Sequence, residues 1–143
     1  MEHKKILLVE DRDDDIELIL EALKENRIKN KVTIARDGQE AIDYIKSLDP
    51  SDDLPAIILL DLKLPKVDGL EVLKTIRKDK NTKLIPVIIL TSSKEEKDLL
   101  KGYELGCNSY VRKPIDFKEF TEAVKNLGLY WLIINEIPPR KQG

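Results

Sequence analysis

The chain has one cysteine, one histidine and no excess of positive charge, and each shortage closes off a class of function. Cys107 alone cannot form an internal disulfide, and His3 alone cannot anchor a zinc centre. Lys and Arg number 25 against 27 Asp and Glu, a formal charge of −2, so there is no global positive field to hold nucleic acid or an anionic membrane. No apolar stretch approaches the roughly 20 residues that a membrane-spanning helix needs. The four apolar residues Ile6 to Val9 behind the polar Met1-Glu2-His3-Lys4-Lys5 are too few for a signal peptide. Internal repeats, low-complexity tracts and a linker to a second domain are also missing. These shortages predict a reduced, cytoplasmic protein that neither binds nucleic acid nor enters a membrane. At 143 residues, 41% hydrophobic and 36% charged, the chain predicts a single domain over 1–143 with a real core and a heavily ionised surface.

What is present is a set of short apolar runs that end in polar groups. Ile57-Ile58-Leu59-Leu60 leads straight into Asp61, then Leu62-Lys63-Leu64-Pro65. A continuous run of that length predicts a strand buried on both faces, as in a parallel sheet covered by helices. Ile6-Leu7-Leu8-Val9 is a second such run and ends in Glu10-Asp11, while Pro86 to Leu90 is a third and ends in Thr91-Ser92-Ser93. Val32, Ile34 and Ala35 predict a shorter edge strand, and Ser109 to Arg112 a brief fifth strand running into Lys113-Pro114.

Helical spacing lies between the runs. Ile16, Ile19, Leu20 and Leu23 share one helix face, with Asp13 and Asp14 expected as caps. Ala41, Ile42, Ile45 and Leu48 mark a second helix after the Arg36-Asp37-Gly38 turn. Leu70, Leu73 and Ile76 mark a third behind the capping Asp68, and Leu99, Leu100 and Tyr103 a fourth that stops near Gly106. Asp116 opens a last helix through Phe117, Phe120, Val124, Leu127, Trp131 and Ile134, expected to run past Gly128 and stop before Pro138, so that 128–143 forms an extended helix and tail. Strand and helix alternate five times, which predicts an α/β fold: a doubly wound five-stranded parallel sheet with helices on both faces.

In such sheets ligands bind outside the carboxyl ends of the strands. Those ends offer Glu10, Asp11, Asp61, Thr91 and Lys113. Three carboxylates brought together repel and hold protons unless a cation neutralises them, and an all-oxygen donor set favours Mg²⁺. An ionised Asp61 is then a nucleophile for a phosphoryl group, with Lys113 and Thr91 suited to the charge on its oxygens. Taken alone, Asp61 is as well explained as a turn aspartate, Thr91 as a strand-end hydroxyl and Lys113 as a solvated lysine. Their convergence carries the reading.

These residues, in this order, resemble the receiver domains of two-component response regulators over Lys4 to Leu127. The resemblance implies a flavodoxin-like strand order 2-1-3-4-5, with Glu10 and Asp11 as the acidic pair, Asp61 as phosphoacceptor, Thr91 as hydroxyl, Lys113 as lysine and Tyr110 as switch aromatic. It also implies a metal-binding backbone carbonyl at Lys63 and a cis bond at Lys113-Pro114. The segment Tyr103 to Tyr110 and the tail Tyr130 to Pro139 are similar to single-domain regulators that partner bacterial phytochrome-type histidine kinases. The implied function is a phosphoryl-accepting switch, not a turnover enzyme, served by a sensor histidine kinase. The apolar face of the last helix and tail extends beyond what a five-stranded unit needs, which predicts a homodimer through the last helix and tail together with the fourth helix and fifth strand. With no water-orienting carboxylate or amide at Lys63 or Ser93, slow self-hydrolysis of the phosphoryl group is expected.

Three other readings compete. An aspartate-nucleophile phosphatase would use Asp11-Arg12-Asp13 but leaves Asp61 unexplained. A flavin module would need a phosphate cradle where Glu10 and Asp11 stand and repel one. A receiver-like scaffold that is never phosphorylated would explain the fold, although no member of the constellation is missing.

Overall fold

The structure, a computed structural model, describes residues 5–26, 30–49, 54–113 and 116–128. Five strands, β1 (Lys5–Val9), β2 (Val32–Ala35), β3 (Pro55–Leu60), β4 (Val87–Thr91) and β5 (Ser109–Arg112), alternate with five helices. The helices are α1 (Asp13–Glu25), α2 (Gly38–Ser47), α3 (Gly69–Lys78), α4 (Glu96–Glu104) and α5 (Phe117–Gly128). All neighbouring strands pair in parallel in the order β2-β1-β3-β4-β5, the flavodoxin-like arrangement expected. The chain reverses its direction of travel across the sheet between β1 and β3, so the crevice lies at the ends of these two strands.

Side chains alternate across a strand, and this sorts the buried residues into two cores. Leu7 and Val9 of β1 and Ile58 and Leu60 of β3 face Ala41 and Ile45 of α2 and Val72, Leu73 and Ile76 of α3. Ile6, Leu8, Ile57 and Leu59 face Ile16, Ile19, Ala22 and Leu23 of α1. Every residue of β3 is buried, because helices cover both of its faces. Asn26 Nδ2 donates to Ala22 O at 2.8 Å and to Thr121 O at 3.1 Å, tying the end of α1 to α5.

Two helix starts separate expectation from outcome. Asp68 caps α3 as expected, Oδ1 accepting from Leu70 N at 2.9 Å and Glu71 N at 3.2 Å. At α1 the cap position belongs to Arg12, whose side chain makes no capping bond, while Asp13 and Asp14 lie inside the first turn. Asp14 Oδ1 takes the Asp15 amide from there, at 3.0 Å, and the acids still face the positive end of the helix.

α4 also departs from its apolar pattern. Leu100 is 62% and Tyr103 51% exposed, whereas Asp98 and Gly102 face inward. Gly102 permits this: a Cβ there would stand 3.0 Å from Ile89 Cδ1, so the helix approaches the sheet on its smallest residue. Gly106, with φ +93°, ends the helix in the left-handed conformation that favours glycine. Arg77, at the end of α3, fastens the loop that follows α3 and the loop that follows α4. Its Nη1 donates to Ile85 O at 2.8 Å and its Nη2 to Gly106 O at 2.7 Å, without a carboxylate partner among the described residues.

The tail expected beyond Gly128 and the cis bond expected at Lys113-Pro114 lie outside the described residues. No helix among the described residues is long and apolar enough to cross a membrane.

Gly69 opens α3 directly against the phosphoacceptor candidate: a Cβ there would fall 2.2 Å from Asp61 O. Gly69→Ala is therefore expected to cost roughly 1–3 kcal/mol, the usual range for overpacking, read as a lower urea midpoint. An unchanged midpoint would show that the strand end yields without cost.

Candidate functional site

Each strand entering the crevice sets down one part of a charged cluster. Glu10 follows β1 and is 1% exposed, Asp61 follows β3 and is 4% exposed, and Asp11 lies between them on the rim. Parallel pairing puts Val9 opposite Leu60, so the residues that follow emerge side by side. Lys113 comes in just past β5, where its amide donates to Thr91 O at 2.7 Å. Its Nζ reaches Glu10 Oε1 at 2.6 Å, Asp15 Oδ2 at 2.9 Å and Asp61 Oδ2 at 3.4 Å, which uses all three of its N–H bonds.

The electrostatics are unequal. Glu10, Asp15 and Asp61 crowd around one ammonium, and Asp11 adds a further carboxylate beside Glu10 and Asp61. Burial pushes the Glu10 carboxyl up, to about 7; Lys113 pulls it back and the Asp61 charge adds to the rise. Burial alone would lower Lys113, but its bonds to Asp15 and Glu10 outweigh that and hold it above its ordinary value. Glu10 Oε2 also accepts from the amides of Asp11, at 3.1 Å, and Arg12, at 3.3 Å, so this acid shapes the turn as well as the charge.

The donor set suits a hard cation. Glu10, Asp11 and Asp61 each offer an oxygen, all within 4.8 Å of one another. Asp11 Oδ1 is buried and has no hydrogen-bond partner among the described residues. A carboxylate oxygen withdrawn from water and left without a donor is costly, and a cation placed among the three would satisfy it. A divalent ion fits better than a second lysine, since the excess negative charge exceeds one. A cleft of about 450 Å³ opens onto the cluster, walled by Asp11, Asp61, Lys63, Ser92 and Lys113 among others.

The remaining expected residues take distinct places. Thr91 is the last residue of β4 and fully buried, its Oγ1 accepting from Ser93 N at 3.3 Å; Ser92, not Thr91, is on the cleft wall. Lys63 lies in the loop after β3, its amide donating to Asp61 Oδ1 at 3.2 Å. Tyr110, on β5, has a buried hydroxyl with no partner among the described residues, and burial raises its pKa.

Two contributors escaped the sequence reading. Asp15 looks like one more member of a solvated acidic run, yet it stands four residues, about one helical turn, past Asp11 and so returns to the crevice. Asp98 sits among Glu96 and Lys97 and carries no sequence signal at all. In the structure it is 8% exposed and accepts from Ser93 Oγ at 2.5 Å.

The profile of the response regulator receiver domain matches residues 6–125. A probable methanogenesis regulatory protein, FilR2 of Methanothrix harundinacea, is 39% identical over 134 residues, covering 93% of this chain and 86% of that protein. Response regulator Rcp1 of Synechocystis sp. is 39% identical over 137 residues, covering 94% and 93%. The Mn²⁺-bound structure of Rcp1 superposes with a TM-score of 0.84 at 38% identity, covering 95% of this chain and 99% of that one. The phosphorylated cyanobacterial phytochrome response regulator RcpA superposes with a TM-score of 0.86 at 40% identity, covering 96% and 100%.

Adding Mg²⁺ is expected to raise the thermal midpoint of the protein and to leave that of Asp11→Asn nearly unmoved. At about 100 times the dissociation constant the gain is about 2.7 kcal/mol. Because Glu10 holds its proton up to about 7, the ion must displace that proton at lower pH. Apparent affinity should therefore fall from pH 8 to pH 6, which calorimetry in two buffers of different ionisation enthalpy will register as proton release. Equal affinity and no proton release at pH 6 would remove Glu10 from the ion's surroundings.

Proposed function

The chain belongs to the response regulator receiver family, and on that premise we propose that Asp61 is its phosphoacceptor, taking a phosphoryl group from a phosphohistidine of a sensor kinase. The single observation that carries this reading is the position of Asp61. It ends the central strand, 3.4 Å from the Lys113 ammonium, inside a carboxylate group with room for a divalent cation.

In the transfer, an ionised Asp61 oxygen forms a bond to phosphorus as the phosphorus–nitrogen bond breaks. The electron pair goes to the imidazole nitrogen, which takes a proton from solvent, so no general base is needed on this chain. The cation held by Glu10, Asp11 and Asp61, with the Lys63 carbonyl as a further ligand, supplies positive charge opposite the phosphoryl oxygens when bound. Lys113 already points at Asp61 and neutralises the oxygens on that side. Glu10 and Asp15 keep it there. Thr91 has its hydroxyl at the end of β4, where its oxygen accepts from the Ser93 amide and, after a short movement, its own hydrogen can be donated to a phosphoryl oxygen. Tyr110, whose hydroxyl is buried near Ser93 without a well-formed hydrogen bond among the described residues, has a reason to turn when its surroundings change.

The protein so read is a single receiver domain over 1–143 that works in the cytoplasm as a switch and not as a turnover enzyme. Its likeness to Rcp1 and RcpA supports a phytochrome-type kinase as donor. Exposed Leu100 and Tyr103 on α4 support self-association through α4, β5, α5 and the tail. Output then passes by protein contact without nucleic acid, and the phosphoryl group turns over slowly.

Incubation with acetyl phosphate and Mg²⁺ is expected to add one phosphoryl group, seen by intact mass, and none to Asp61→Asn. Uptake that survives in Asp61→Asn would overturn the assignment. Sedimentation of the phosphorylated protein at high concentration should show a dimer; a monomer under every condition would remove the self-association.

A further inference from the structure

Asp98 is an acid with no part in the transfer just described, and its burial demands a reason. It sits on the first turn of α4, and its Oδ2 accepts from Ser93 Oγ at 2.5 Å and pairs with Lys63 Nζ at 3.5 Å. The Ser93 hydroxyl, foremost, and the Lys63 charge hold its carboxyl below the ordinary range, so it stays ionised. The amides of the same two partners face the site: Ser93 N donates to Thr91 Oγ1 and Lys63 N to Asp61 Oδ1. The bonds form a chain from Thr91 through Ser93, Asp98 and Lys63 to Asp61.

Lys63 is the movable link. Its side chain is 57% exposed, against 11% for Asp98, so the lysine can re-aim where the acid cannot. It also borders two clefts at once: the one containing Asp61 and Lys113, and a neighbouring one containing Asp98 and Asp68. Before modification the Asp61 side is already served by Lys113, and Asp98 is the acid left for Lys63. A phosphoryl group replaces the single charge of Asp61 with close to two, spread over oxygens that reach further into the cleft, and tips that balance.

We propose that Asp98 is a positioning residue for phosphotransfer: it holds Lys63 Nζ away from Asp61 in the unmodified protein and yields it to the phosphoryl oxygens once Asp61 is phosphorylated. The proposal rests on Asp61 being the phosphoacceptor. It gives α4 a direct sense of the modification, because loss of the Lys63 charge changes what its first turn is bonded to. Thr91 is coupled to the same acid through Ser93.

The test is a double-mutant cycle on the rate of phosphorylation by acetyl phosphate with Mg²⁺, read by intact mass. Asp98→Asn frees the ammonium and is expected to raise the rate roughly two- to fivefold, the scale of one partly exposed ion pair. Lys63→Met, which keeps the backbone carbonyl, is expected to lower it, and adding Asp98→Asn to Lys63→Met should then change nothing. If Asp98→Asn alters the rate by the same factor in both backgrounds, Asp98 acts through the fold alone and the proposal is wrong. A second readout uses native Asp98: its ¹³C-labelled carboxyl resonance should shift on phosphorylation in the wild type and shift markedly less in Lys63→Met, where only the Ser93 link to Thr91 remains. A resonance that moves alike in both, or in neither, overturns the latch even where Asp98→Asn does not fold. Failure of every variant and the wild type to take up phosphoryl would instead overturn the phosphoacceptor reading, and the latch with it.

Discussion

Lys113 holds together what would otherwise repel. Its side chain lies 12% exposed, with the ammonium between Glu10 and Asp15 of the segment that leads from β1 into α1 and Asp61 after β3. Removing one partner from a buried charged group is far more costly than the pair is worth in water, so the strand ends that deliver these groups are locked to one another. The compensation is incomplete: Asp11 keeps an oxygen without a partner among the described residues, and Glu10 a high affinity for its proton. A site whose negative charge is only partly neutralised is open both to a divalent ion and to a reaction that moves negative charge.

The fold positions this cluster by simple means. Two apolar cores, one on each side of the sheet, leave β3 no freedom to rotate or slip, since a shift of one residue would exchange every buried side chain for the opposite face. Gly69 then lets α3 start against the backbone of Asp61 itself. The strand end is fixed from below by packing and from beside by a helix, which leaves the carboxylate as the freest part of its residue.

Sequence pattern alone reached the five strands, their approximate ends and the cluster of Glu10, Asp11, Asp61 and Lys113, because an apolar run that stops at a charge is a signal with one period and one direction. It also gave the Asp68 cap. It missed where α4 turns its apolar residues, since the small Gly102 and the buried Asp98 invert the expected face, and helical spacing cannot weigh a glycine that packs closely. Asp15 and Asp98 were invisible for a related reason: in an acid-rich chain, burial and partner decide which acid matters, and both are tertiary facts. The strand order came from the resemblance, since strand pattern by itself leaves the order of a parallel sheet open.

Lys113 and Glu10 stand 103 residues apart in the chain, and Lys113 and Asp61 52 apart. During synthesis from the N-terminus, β1 and β3 are made well before the lysine that neutralises their acids. A chain that has left the ribosome only as far as β4 carries the carboxylates without their ammonium, and its crevice is a region of unrelieved repulsion. The acids at the ends of β1 and β3 gain their ammonium only when β5 docks, so the last of the described strands to be made is the one that completes the cluster.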